Sequence, residues 1–539
     1  MTTQFDPWQL ALLIVACVLA AIVLSIVLLT IWAKGAYRRI KQRPPTHCDI
    51  DAFVGPDNPV AATKVVLAHK IQLGNRKAGT DPIPLECFES THVPGLKVTR
   101  KVGTGDVDAA NVKALEDVLK DSNKTPIVIA TIRMGFGHHR LAYSAASWAL
   151  QTGHPVLFHD LLNIQSKEAD LIKSTDELYS RFSRYASEMG GLVEKWWGSM
   201  MLSGDANALR AAANVAAHLQ PLLLAYPKST PIITTHQLCA LTASAAGFRR
   251  VINLVVDNHP QWFLTVPNTL NIVQGPVNYQ AFLKMGVQPH ELQWAGHWCP
   301  RDMVANIPAD CQRRIERAQQ KQPLRILIPV GGAGAQRKFI IAFVQALADH
   351  VRAGKVQLFL NAGDHVHMKT AFLKVLDECH LPFDTISNTA GVNAFQQKLL
   401  SGGSPNQNVS LFCFTEYFPA VATTDILCRV ADVLACKPSE LAFYCVPKLH
   451  IRRVGDHEAD SAKRSSECGD GTEEAREIED AMAYVDLFLE GPDFLVSMNQ
   501  AIINNNKIGI YDGCKKAVEL ALQSGDTAVA TGTDTKKDK

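Results

Sequence analysis

The sequence predicts an α/β protein of two doubly wound units facing a cleft, preceded by one N-terminal membrane-spanning helix. Three observations carry that expectation. Leu10 to Trp32 is a stretch of 23 residues without a charge. From residue 126, short apolar runs alternate with amphipathic helical ones, the pattern of a mainly parallel sheet covered by helices. At residue 325 the same plan restarts with an apolar strand, a glycine turn and a helical run. A chain of 539 residues exceeds one ordinary core, so two or three domains are expected.

The first element is the apolar stretch. As a helix it extends about 35 Å at roughly 1.5 Å per residue, enough to cross a bilayer. A cleaved signal peptide is the competing reading. It needs a basic start and a shorter apolar region, whereas this start carries Asp6 and no basic residue. Lys34, Arg38, Arg39, Lys41 and Arg43 follow the stretch. By the positive-inside rule the protein is single-pass, with its N-terminus outside and its globular body cytoplasmic. The same cluster can hold anionic lipids or serve topology alone.

Pro44-Pro45 ends the anchor segment, 1–45. A first domain is expected over 46–305, with 46–124 as an N-terminal extension. Its strands are expected at Ile127–Ile132, Pro155–His159, Ile232–Thr235, Val251–Asp257 and Leu270–Gln274. Amphipathic stretches at 165–202 and 277–285 lie between them. The polar segment 300–322 reads as a linker into a second domain, 306–524. Strands are expected there at Arg325–Val330, Val356–Leu360, Val409–Phe414, Asp432–Leu434 and Leu449–Arg452. Residues 455–475, "GDHEADSAKRSSECGDGTEEA", read as a long polar loop. Helical runs at 492–505 and 511–523 close the domain, and 525–539 reads as a disordered tail.

Composition narrows the function. The net charge of +2 gives no broad footprint for nucleic acid. The 13 cysteines are dispersed, with no Cys-x-x-Cys pair, which disfavours structural zinc and suits a reducing compartment. No phosphate-loop signature ending in Gly-Lys-Ser/Thr occurs. Asp49–Asp51 and Asp106–Asp108 read as surface turns, and His365-x-His367 is too sparse for a metal site. No metal and no cofactor are expected.

In a doubly wound sheet, ligands bind beyond the carboxyl ends of the strands. Gly135-Phe136-Gly137 sits there and hands His138 and His139 to the start of a helix. A neutral imidazole at that point can accept a hydroxyl proton, and either histidine can equally be a helix cap or face solvent. "VVDNHPQWF" places Asp257, His259, Trp262 and Phe263 after a second strand. Asp257 can orient a histidine or act as base, and the aromatics can pack against lipid or sugar or plug the core. His236 ends a third strand, "PIITTH". In the second unit, Gly332 and Gly334 form the opening turn. Ser439 and Glu440 follow Lys437-Pro438 where a helix should start, and can contact phosphate and a ribose diol or simply cap. His457 and Glu458 end the same segment and are grouped with the donor contacts.

These residues resemble a known group. The chain is similar to the GT-B glycosyltransferases, in particular monogalactosyldiacylglycerol synthase and the processive diacylglycerol glucosyltransferases. It is more distantly similar to the N-acetylglucosaminyltransferase that makes lipid II. The resemblance spans roughly 126–485 and rests on Gly135-Phe136-Gly137-His138, "DNHPQWF", "NYQAFLKMGVQPHELQWAGHWCPRDM", "IPVGGAGA" and "KPSELAFY". It implies a UDP-sugar donor, a membrane lipid acceptor and inverting, metal-independent transfer. By the same resemblance His138 is the base or an acceptor contact, and Asp257 and His259 line the acceptor side. Gly332, Gly334, Ser439 and Glu440 contact the sugar nucleotide. His138-His139-Arg140 has one histidine more than the group's Gly-His-Arg, and Lys-Pro-Ser-Glu replaces its glycine-rich donor loop. A non-catalytic lipid or nucleotide-sugar binding protein, or a sugar-nucleotide epimerase of the same fold, are the alternative readings.

Overall fold

The computed structural model describes residues 6–41, 46–55, 59–104, 112–120, 124–175, 177, 205–330, 336–453 and 458–523. The apolar stretch is part of one long helix, α1 (Pro7–Lys41), long and apolar enough to cross a membrane. Two helices of the N-terminal extension follow, α2 (Ile50–Val54) and α3 (Pro59–Gln72), and α3 packs along α1.

The first unit is a nine-stranded sheet. Its strands are β1 (Leu85–Glu89), β2 (Leu96–Lys101), β3 (Val112–Ala114), β4 (Ile127–Thr131), β5 (Val156–Asp160), β6 (Ile232–Thr234), β7 (Val251–Leu254), β8 (Leu270–Val273) and β9 (Leu292–Trp294). They lie in the order β3-β1-β2-β5-β4-β6-β7-β8-β9. β1 runs antiparallel to both its neighbours, and every other pairing is parallel. The extension 46–124 therefore adds three strands and α4 (Leu115–Lys120) to the sheet. β4, β5, β6 and β7 are buried at every position, which is why each opens on an apolar run. Helices α5 (Gly137–Ala149), α6 (Ala206–Leu219), α7 (Gln237–Ala245) and α8 (Pro276–Met285) belong to this unit.

Two short helices, α9 (Arg301–Ala305) and α10 (Ile307–Gln319), then occupy the expected linker. The polar reading failed there because the buried stripe of α10 contains Asp310 and Arg314. The Arg314 guanidinium donates to the carbonyls of Ala431 and Cys428 at 2.8 and 2.6 Å.

The second unit has six parallel strands: β10 (Leu324–Pro329), β11 (Val356–Gly363), β12 (Phe383–Ile386), β13 (Val409–Cys413), β14 (Val433–Cys436) and β15 (Lys448–His450). Their order is β12-β13-β11-β10-β14-β15. Its helices are α11 (Arg337–Arg352), α12 (Val366–Glu378), α13 (Thr389–Leu400), α14 (Tyr417–Cys428), α15 (Ala459–Cys468), α16 (Ile478–Glu490), α17 (Pro492–Lys507) and α18 (Gly513–Leu522). The segment expected as a polar loop contains α15. Its buried face is Ser461, Ala462, Arg464, Ser465 and Cys468, a stripe that hydropathy does not register. α18 leaves the second unit and packs against α5 of the first. Arg250 donates to the carbonyls of Ala521 and Gln523, fastening the end of the helix there. A hydrophobic cluster runs through both units, joining Ile127, Phe136 and Leu141 to Phe359, Phe412 and Leu434. The fold class is the one the sequence predicts.

Candidate functional site

The order of each sheet reverses at one point. In the first sheet β5 lies on one side of β4 and β6 to β9 lie on the other, so the switch falls between β4 and β6. In the second the switch falls between β10 and β14. A crevice opens beyond the strand ends at such points, and ligands bind there. His138 follows β4, His236 follows β6, and Ser439 and Glu440 follow β14. The turn after β10 carries Gly332 and Gly334, which lie outside the described residues, as does His457.

The floor of the first unit is tied together by hydroxyls and backbone. Thr235 donates its N–H to Ala130 O at 3.1 Å, and its hydroxyl meets that of Thr131 at 2.8 Å. Gly135 has φ +71°, a left-handed conformation that glycine adopts without cost, and it turns the chain into α5. His138 is half-buried at the first turn. Its Nδ1 lies 2.6 Å from Thr235 O. A carbonyl only accepts, so Nδ1 carries the hydrogen and the neutral ring keeps its lone pair on Nε2. Burial pushes the His138 pKa down. The Thr235 bond and the charge of Asp257 oppose this, and the net value lies below the usual 6.5.

His236 packs edge-on against His138 at 4.5 Å between ring centroids. Its Nδ1 accepts the Leu238 N–H at 3.1 Å, so its neutral tautomer is the opposite one, with hydrogen on Nε2. Burial, then the neighbouring His138, hold its pKa well below the ordinary value. The junction thus holds one ring with a basic nitrogen and one with an N–H donor. Gly137 opens α5 just ahead of this pair.

His139 is placed elsewhere. It is buried, its Nε2 lies 3.1 Å from Asp160 Oδ2, and it is boxed edge-on by Tyr143, Phe158 and Tyr417. The charge of Asp257 favours the protonated forms of both His138 and Lys437, a lesser contribution than burial at the first and than Glu458 at the second. His259 bonds through Nδ1 to Asp460 Oδ2 at 2.6 Å, and Asn258 Nδ2 reaches Ser461 Oγ at 3.2 Å. The 257–259 bend is therefore docked on the first turn of α15. Trp262 and Phe263 turn away from this junction. Trp262 meets Phe53 of α2 edge-on at 5.6 Å and lies against Gly286, and both aromatics pack in a cluster with Val255 and Phe282.

In the second unit, the helix expected after Lys437-Pro438 is one six-residue 3-10 helix, Pro438–Phe443. A segment so short sums few peptide dipoles, so it offers little charge at its N-terminus. Side chains supply the charge instead. Glu458 Oε1 accepts from Lys437 Nζ at 3.3 Å and from Ser439 Oγ at 3.0 Å. Burial alone would lower the Lys437 pKa, but Glu458, Glu440 and Asp257 outweigh it and the value lies above the usual one. Glu440 is buried and ion-paired to Arg140 at 3.0 Å; Arg140 also lies 3.5 Å from Asp425.

The two bends meet directly. Arg140–Glu440 joins them, and the Tyr417 hydroxyl donates to Gly135 O at 3.1 Å. Arg133 lies over the Tyr417 ring, 3.6 Å from its centroid. Among the residues brought here, Lys437, Arg140, Asn258 and Asp460 were not singled out from the sequence. Lys437 ends a strongly apolar strand, and a lone charge at that position was the available signal. The partners of Asn258 and Asp460 depend on a helix that reads as loop.

Residues 93–284 match a domain of unknown function, DUF6937, and residues 287–522 match another, DUF6938. None of the proteins of curated function matches the sequence. Among solved structures, the chain is similar to a UDP-GlcNAc 2-epimerase from Neisseria meningitidis bound to UDP-GlcNAc, at 11% identity and TM-score 0.44, over 73% of this chain and 98% of that one. It is similar to the S. aureus MnaA–UDP structure at 10% identity and TM-score 0.40, over 73% and 95%. It is similar to an E. coli trehalose-6-phosphate structure bound with UDP-2-fluoro glucose at 12% identity and TM-score 0.39, over 74% and 99%. Likeness at this level specifies neither reaction nor substrate.

Proposed function

We propose that the chain is a membrane-anchored glycosyltransferase that moves a sugar from a nucleotide-sugar, a UDP-sugar by the resemblance, to the hydroxyl of a lipid acceptor. The observation that carries this reading is the His138 ring. Its Nδ1 is committed to Thr235 O and its Nε2 lone pair remains, at a switch point that the Arg140–Glu440 pair ties to the bend carrying Lys437 and Ser439. In the proposed step, Nε2 takes the acceptor proton as the acceptor oxygen bonds the anomeric carbon. The bond from that carbon to the diphosphate oxygen breaks on the opposite face, giving inversion. Asp257 stabilises the imidazolium that forms. The Lys437 ammonium, held by Glu458, offsets the departing negative charge, a role that needs no metal. The anchor supports a lipid acceptor because it holds the enzyme on the surface where such a substrate lives.

One observation favours the non-catalytic reading. Glu440, expected to take the ribose diol, is already engaged by Arg140. Turnover decides between the two. Full-length protein is assayed with UDP-sugars and membrane lipid extract, and UDP binding is measured separately. His138→Ala should lower transfer by about 10²–10⁴-fold, the usual range for a general base, while UDP binding persists. His139→Gln should leave transfer within about tenfold of that of the unaltered protein, since its loss lies outside the general-base range. Binding of UDP without turnover by the unaltered protein would support the binding module, and turnover of a UDP-sugar in the absence of lipid would support an epimerase.

A further inference from the structure

We propose that the last turn of α3 and the bend after it form a second bilayer contact, one that meets anionic phospholipid headgroups beside α1. The inference rests on reading α1 as a membrane span and extends that reading to a second element.

Along α1, apolar side chains from Leu10 to Trp32 stand exposed, whereas Ala33 and Tyr37 are buried against α3. The helix meets the protein where its apolar stretch ends. α3 runs antiparallel to it: Ala62, Val65 and Val66 pack with Ala33 and Tyr37, and Lys70 lies 4.6 Å from the centroid of the Trp32 ring. An antiparallel partner leads back toward the membrane. Trp32 ends the apolar stretch, where tryptophan sits at headgroup depth, so the turn of α3 carrying Lys70 reaches the same depth.

That turn presents bare apolar groups. Leu67 and Ile71 are four residues apart, on one face of the helix, and each is 59% exposed. Their neighbours Val65 and Val66 are buried against α1. Two side chains are far too little surface for a stable protein partner, which needs roughly 800 Å² per side. The chain then bends sharply, with Arg76 N–H donating to Leu73 O at 3.0 Å. Arg76 and Lys77 line a cavity of about 430 Å³ with Lys167, whose walls also include Glu168 and Asp170. Exposed apolar side chains accompanied along the chain by Lys70, Arg76 and Lys77 are the pattern of a segment lying in the headgroup layer of an anionic membrane.

The test uses full-length protein in phosphatidylcholine nanodiscs, with and without phosphatidylserine. A photo-crosslinking residue, p-benzoylphenylalanine, is placed in turn at Leu67, Ile71, Leu19 of the span and Val366, which is 76% exposed on the second unit. Lipid adducts at 67 and 71 should exceed those at 366 several-fold, and should fall when phosphatidylserine is omitted or when Arg76→Glu and Lys77→Glu are combined. Adducts at 19, with 67 and 71 no higher than 366, would overturn the inference and leave the anchor standing. No adduct at 19 would overturn the anchor and the inference together. Adducts at 67 and 71 that ignore phosphatidylserine would overturn the headgroup assignment.

Discussion

His138 and His139 are adjacent, about 100° apart around α5, and that step sends the two rings to opposite surroundings. His138 faces the junction with a proton fixed on Nδ1 by Thr235; His139 is sealed among aromatics and tied to Asp160. The pH dependence follows from the first ring. Its pKa is lowered, chiefly by burial, so the neutral form that can act as base dominates above a value lying below 6.5. The expected kcat/KM profile for transfer therefore falls only on the acid side of pH 6.5, and that limb should be absent from the residual activity of His138→Ala. A limb centred above 6.5 would remove His138 from the role. The sequence marks the pair by its glycine turn but leaves the choice open. The deciding partner, Thr235, lies 97 residues away, and no local pattern encodes it.

At the scale of elements, β15 and α15 are held by a charge pair with no exposure to solvent. Lys448 Nζ meets Asp470 Oδ2 at 2.9 Å, Asp470 also accepts from Tyr511 and Ser465, and Lys448 donates to Val446 O. Removing one member leaves the other charged and buried. Lys448→Met and Asp470→Asn should each cost about 3–5 kcal/mol, and the double variant markedly less than their sum. Denaturant midpoints of the second unit check this, and additive losses would show that the two residues act independently. Strands such as β4 and β14 are legible in the sequence because both faces are buried and the runs are almost wholly apolar. α10 and α15 are not, because Arg314, Ser461, Arg464 and Ser465 occupy their buried stripes, and the partners of Arg314 and Ser461 come from distant parts of the chain.

Across the whole molecule, the backbone passes between the two units twice, and the two passages lie side by side. His297 N–H donates to Ile510 O at 2.6 Å, Gly513 N–H donates to His297 O at 3.0 Å, and Trp298 bridges Asp512. Glycine permits the approach. A Cβ on Gly296 would stand 2.4 Å from Ile510 O, and one on Gly513 would stand 2.5 Å from Gly296 O. Gly296 also has φ +113°, so Gly296→Ala carries a backbone cost of about 1–3 kcal/mol in addition to the clash. Gly354→Ala, at φ +70° with open space around it, should show the backbone cost alone. Thermal midpoints of the two variants should differ clearly, and equal shifts would mean that the passages yield without penalty. The two-unit plan is legible in the sequence because the strand–turn–helix opening recurs at 325. The return of α18 to the first unit is not, since nothing in its own amphipathic pattern names the surface it covers. Because the outgoing and returning segments are laced to one another, each passage braces the other. Severing the chain between 508 and 513 should therefore weaken both passages at once and lower the thermal midpoint.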